Sequence, residues 1–171
     1  MAKTKKSKKA ALRRRPPATP GYYAYTLLDE MTASPIMPMP REHTNERANM
    51  ARFHLQVIRD GHGTRDEWLT LATIVNVFEV MLDEGFVKDP DDLIGEVTAI
   101  LLRAFNSYTP GYSSMELDAA GYFHLNAMLT DWEECLQDAP ARVIIRSMRL
   151  TEARKNSLGR RGINTPFARV A

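Results

Sequence analysis

The sequence predicts an all-α protein: a four- to five-helix bundle with a disordered basic arm at its N-terminus. Three observations predict it. Apolar residues recur at three- and four-residue spacing in five segments between residues 41 and 158. One of these, residues 64–85, is apolar nearly all round and carries a start and a stop signal. No stretch alternates apolar and polar residues for long enough to make a strand, and no internal repeat is present.

Residues 64–85 read TRDEWLTLATIVNVFEVMLDEG. Thr64 and Glu67 have the spacing of a capping box, in which each side chain satisfies the other's free backbone amide. Gly85 suits the left-handed conformation just past a helix end. Trp68, Leu71, Ala72, Val75, Phe78 and Leu82 form one apolar face, and Leu69, Ile74, Val77, Val80 and Met81 cover most of the rest. A helix with so little polar surface must be enclosed by others, so it is placed at the centre.

The other elements follow in order. Residues 1–20, MAKTKKSKKAALRRRPPATP, combine like charges with three prolines and are read as a disordered arm. Residues 21–40 contain Tyr22, Tyr23 and Tyr25, then Pro35, Pro38 and Pro40, and are read as an extended strap. The tyrosines are expected to pin the arm to the bundle, with Leu27 and Leu28 buried beside them. Stacking of the tyrosines on unpaired bases is the alternative. The bundle occupies 41–158, and 159–171 form a basic tail with Phe167 as an anchor.

Within the bundle the first helix spans about 42–59, with Ala51, His54, Leu55 and Ile58 inward, and Gly61-His62-Gly63 breaks it. After the central helix, Asp89-Pro90 announces a third: an N-cap carboxylate, proline at the first helical position, then Asp91 and Asp92 against the dipole. Ser113 and Glu116 make a second capping box, opening a fourth helix to about residue 137 with Leu117, Ala120, Phe123, Leu125, Met128, Leu129, Trp132 and Leu136 inward. Asp138-Ala139-Pro140 starts a fifth, which buries Val143, Ile144, Met148 and Leu158 and ends at Gly159. Its arginines are expected to lie outward.

Charge is the most informative functional feature. The net charge of +2 hides a segregation. Residues 1–15 hold eight basic side chains, Lys3, Lys5, Lys6, Lys8, Lys9, Arg13, Arg14 and Arg15, and no acid. Residues 141–171 hold eight more against Glu152 alone, and residues 16–140 are left with a net charge of −13. A basic run of this density points to phosphate contact through counterion release. Arg142, Arg146 and Arg149 on the fifth helix are the other candidate phosphate ligands. The alternative surface is acidic: Asp83, Glu84, Asp89, Asp91 and Asp92 in one segment, Asp131, Glu133 and Glu134 in another, meeting a basic protein as a phosphate mimic would.

Other classes are set aside. No run of eighteen apolar residues is present, so no transmembrane helix is expected. No apolar face is legible beside the basic arm, which disfavours a membrane surface. The single cysteine, Cys135, rules out an internal disulfide and favours a reducing, cytoplasmic setting. His43, His54, His62 and His124 lack metal-ligand spacing, so no metal or cofactor is expected. His124 stands eleven residues before Cys135, about 16 Å along a helix, too far to activate it. No phosphate-binding glycine motif or nucleophile elbow occurs, and the chain is read as non-catalytic. Homodimerisation is compatible with so much apolar helix surface.

The leader and about thirty core residues resemble small uncharacterised helical proteins of proteobacterial phages and mobile elements. The likeness rests on the leader MAKTKKSKKAALRRRPP and on Gly63-Thr64, Asp66-Glu67-Trp68, Leu71, Asn76 and Gly85. It implies an accessory protein of such an element and transfers no catalytic residue.

Overall fold

The computed structural model describes residues 25–160 apart from Pro90, Pro110 and Tyr112. The described residues form six helices and no strand: α1 (Leu27–Thr32), α2 (Arg41–Arg59), α3 (Arg65–Asp83), α4 (Leu93–Ser107), α5 (Ala119–Asp138) and α6 (Ala141–Arg160). Helix α3 is the central one. It packs on α2, α4 and α6, while α5 closes the far side by packing on α2 and α4.

The capping box of α3 is present, with the Thr64 hydroxyl and the Glu67 carboxylate bonded to one another. Gly85 follows the helix at φ +77°, as its position requires. Leu71, Val80 and Met81 have no exposed surface, and Trp68, Ala72, Val75 and Val77 are equally enclosed. Each large apolar side chain so buried contributes about 1.5–3 kcal/mol. The Trp68 indole also donates to the Leu101 carbonyl at 2.7 Å and stacks on Phe105 at 4.5 Å, tying α3 to α4. Phe78 meets Trp132 of α5 at 5.7 Å.

Several expectations are corrected. A short helix, α1, occupies part of the predicted strap, started by a capping box between Thr26 and Asp29. Leu27 and Leu28 are not buried beside Tyr25 but 57% and 69% exposed. Helix α4 begins at Leu93, so Asp91 and Asp92 precede it: Asp92 turns left-handed at φ 52°. Asp89 still caps it, because its carboxylate reaches forward to accept from the amides of Leu93 (2.8 Å) and Ile94 (3.0 Å). Ser113 closes the preceding loop instead of capping a helix, accepting from the Thr109 amide at 2.8 Å. Helix α5 therefore starts late, capped by Asp118 on the Gly121 amide at 2.6 Å. Its inner face is Gly121, Leu125, Met128, Leu129, Trp132 and Leu136, leaving Phe123 69% exposed and Ala120 outside. Helix α6 continues through Gly159, and the Leu158 side chain lies outside the described residues, as do the arm, Tyr22, Tyr23 and Phe167.

Two loops are clasped by single backbone pairings. The Met115 amide donates to the Gly63 carbonyl at 2.8 Å, joining the α2–α3 and α4–α5 connections over a fully buried Met115 side chain. A Cβ at Gly63 would stand 2.7 Å from the Met115 carbonyl oxygen and 2.8 Å from Ile58 Cγ1. The variant Gly63→Ala should therefore force the clasp apart and cost about 1–3 kcal/mol, read from the urea midpoint. An unchanged midpoint would show that the two loops are not held together there.

Candidate functional site

The fifth predicted helix, now α6, carries three of the candidate phosphate ligands, and each has a partner inside the molecule. Arg142 donates through Nε and Nη2 to the Ala33 carbonyl (3.2 and 3.1 Å) and through Nη2 to that of Met31 (3.2 Å). Arg149 Nε meets Glu30 at 2.6 Å. Both arginines thus fasten α1 to α6. Arg146 meets Glu84 at 2.7 Å and Arg154 meets Asp83 at 2.9 Å. The last turn of α3 holds no basic residue of its own, so these two cations also complement the negative end of its dipole. The arginine row is outward on α6 but faces other parts of the chain.

The acidic candidates divide in the same way. Asp83 and Glu84 are taken by Arg154 and Arg146. Glu133 is held bidentately by Arg52 of α2, at 2.6 and 3.1 Å, and Arg52 also donates to Asn126 Oδ1 (2.5 Å) and Thr130 (3.0 Å). This fork pins α2 to α5. Glu134, the next residue, points away and is exposed, as adjacent helix positions must. Asp92 lies over Gly95, where a Cβ would come within 2.5 Å of its carboxylate.

A smaller acidic set converges. Asp131, exposed on α5, has its carboxyl pushed above the usual aspartate range, first by partial burial and then by the charge of Asp89 in the α3–α4 loop. One turn on from Asp131 stands the half-buried Cys135. Its thiol is pushed up to about 11, first by burial and then by Asp131, Glu134 and Asp138. Among the described residues no cation lies within 4.0 Å of Asp91, Asp131, Glu134 or Asp138. The last turn of α5 has no basic residue either, so its acids crowd the negative end of a helix dipole. Asp138 belongs to this set; from sequence it is read as part of the start of the next helix, whereas it is the last residue of α5. The company it keeps was not legible there.

Two histidines of the described residues stand beside carboxylates. Burial holds His54 below the usual histidine range against the pull of Glu67 and Asp66, so its 3.7 Å approach to Glu67 is not an ion pair at neutral pH. His124 Nδ1 stands 2.8 Å from Glu96. Among the described residues no group of three or more His, Cys, Asp or Glu side chains could hold a metal ion. A cleft of about 460 Å³ lies between α1, α2 and α6, lined by Tyr25, Asp29, Met39, Pro40, His43, Arg47 and Ile145. At its floor the buried Arg47 donates to the Tyr25 hydroxyl at 2.6 Å, so Tyr25 does pin the chain where the arm joins the bundle.

Lys3, Lys5, Lys6, Lys8, Lys9, Arg13, Arg14 and Arg15 lie outside the described residues. No helix of the described residues is long and apolar enough to cross a membrane. No protein-family model, curated protein or solved structure matches the chain.

The raised thiol has a direct readout. Alkylation of Cys135 by iodoacetamide at pH 8 should run about tenfold or more slower than for a free cysteine, because so little thiolate is present. Asp131→Asn should speed it. A wild-type rate matching free cysteine would place the thiol outside this acidic, half-buried setting.

Proposed function

We propose that the chain is a non-catalytic, nucleic-acid-associated binding protein of phage or mobile-element type, with its phosphate-holding charge concentrated in the arm. One observation carries this reading: Arg142, Arg146, Arg149 and Arg154 of α6 are spent on the chain itself. That leaves Lys3 to Arg15 as the dense block of cations without an acid among them. Residues 25–160 contain 13 basic and 21 acidic side chains, so the helical body repels a phosphate backbone that the arm attracts. Such an arrangement binds through the backbone and reads no sequence. The body then acts as a carrier for the arm, and Arg142, Arg146 and Arg149 serve it as struts.

A second reading draws on the convergence of Asp89 with Asp131 beside Glu134 and Asp138. Uncompensated acids at the end of α5 suit a basic protein partner, such as host nucleic-acid machinery inhibited by phosphate mimicry. The phage resemblance fits either reading.

Fluorescence anisotropy on duplex DNA and on structured RNA, from about 50 to 300 mM salt, separates them. The full chain should show a log–log salt slope of roughly −5 to −7, for six to eight neutralised phosphates. Replacing all eight arm cations by glutamine should abolish it, whereas Arg146→Gln should leave the slope unchanged. Equal binding by the arm variant would contradict the proposal. Absence of binding by the natural chain would transfer the working surface to the acidic end of α5.

A further inference from the structure

Residues 26–38 are built inside out. Several of their polar groups are bonded within the chain. Thr26 and Asp29 cap α1, and Glu30 pairs with Arg149. The carbonyls of Met31 and Ala33 accept from Arg142, and the Ser34 hydroxyl accepts from the amides of Ile36 and Met37. The Met37 carbonyl accepts from the Ala141 amide at 2.8 Å, and that of Ser34 from the Arg142 amide at 3.0 Å. Helix α1 buries none of its residues. The large apolar side chains of the segment point the other way: Leu27 57%, Leu28 69%, Met31 66%, Ile36 81% and Met37 61% exposed. Leu27, Leu28 and Met31 share one face of α1 by their spacing. Isolated exposed leucines are ordinary, but five large apolar side chains on one firmly tethered segment mark an interaction surface.

We infer that this surface is covered by a second copy of the chain, in a two-fold symmetric pair. The five side chains present roughly 500 Å² of apolar surface per copy, so pairing removes on the order of 1,000 Å² from water, about the least that a biological interface buries. The segment has two charged residues, Asp29 and Glu30, and both are engaged within the chain, so two copies can meet face to face without like charges opposed. Because the tethers fix the segment beforehand, little ordering is left for the moment of association.

A bilayer fits less well. On α6 the cations nearest the patch, Arg142 and Arg149, face inward, and the exposed Arg41 at the start of α2 is outnumbered by its acidic neighbours. Glu42 and Glu46 are exposed on the first turns of α2, just beyond the segment, and the described body carries more acids than bases.

Pairing here also has a consequence for the arm, which joins the body at Tyr25, two residues before Leu27. A pair carries two arms, and engagement of one polyanion by both raises their effective concentration for one another. That consequence rests on the proposed phosphate-binding role; the pairing itself does not.

Analytical ultracentrifugation of the full chain without nucleic acid, at 300 mM salt to screen the arms and from about 1 to 100 µM, tests it. The expected result is a transition from 19.4 kDa to twice that mass. Leu28→Asp with Met31→Asp, and separately Ile36→Asp, should each remain monomeric while keeping the natural melting temperature and helical circular dichroism. A natural chain that stays monomeric throughout would overturn the inference, as would dimers that persist in both variants. A monomer that floats with phosphatidylglycerol-containing vesicles through Leu28 and Met31 would reassign the patch to a membrane and overturn it too. Since no nucleic acid is present, a monomer leaves the arm's proposed role standing, and a dimer without DNA affinity refutes only that role.

Discussion

Helix α3 has almost no surface that water can solvate well, and the rest of the bundle is arranged to enclose it. Leaving its apolar circumference exposed would forfeit about 1.5–3 kcal/mol for each large side chain. Four or more neighbours are needed to cover a helix on every side, and α2, α4, α5 and α6 supply them. The polar details serve that enclosure. The Trp68 indole has its acceptor on α4, and Met115 and Gly63 close the loops over the end of the core. Glu79, only 5% exposed, is drawn inside with the helix that carries it.

Charge is sorted around that core according to distance from it. Arginines on α2 and α6 act as struts: Arg52 between α2 and α5, Arg142 and Arg149 between α6 and α1, Arg146 and Arg154 between α6 and the end of α3. Individually, exposed pairs of this type add little stability, but guanidinium forks with defined partners fix orientation. The cost is that these cations are withdrawn from any external ligand. Two features lack internal compensation of this kind: the acidic end of α5, and the apolar outer side of residues 26–38. The eight cations of the arm stand apart from the body in sequence as well as in sign.

How much of this was legible in the sequence follows the range of the forces involved. Helix α3 was readable from its ends and its face, because capping and periodicity are local. So was α2, from its apolar spacing and the glycines that end it. Helix α1 was missed since six residues cannot show a period, although Thr26 and Asp29 carried a capping signal. The starts of α4 and α5 were misplaced by a few residues for one reason: Asp89 and Ser113 have alternatives to the standard cap geometry, and the loop decides between them. Phe123 was misplaced for a different reason: it stands two residues before Leu125, off the stripe that Leu125, Met128, Leu129, Trp132 and Leu136 make. The role of α6 was beyond reach. Its arginines do face outward, but what they meet depends on where α1 and the end of α3 come to rest. The meeting of Asp89 with Asp131 is likewise a tertiary fact between segments some forty residues apart.

The claim that α6 holds the 26–38 segment by polar struts, with Ala33 as its apolar contact to the core, underlies both the allocation of charge and the exposed apolar surface. Amide hydrogen exchange on the natural chain and on Arg142→Gln tests it most directly. The account predicts that the substitution releases amides across 27–37 while those of α3 keep their slow exchange. Unchanged protection across 27–37, or loss of protection in α3 to the same extent, would contradict it.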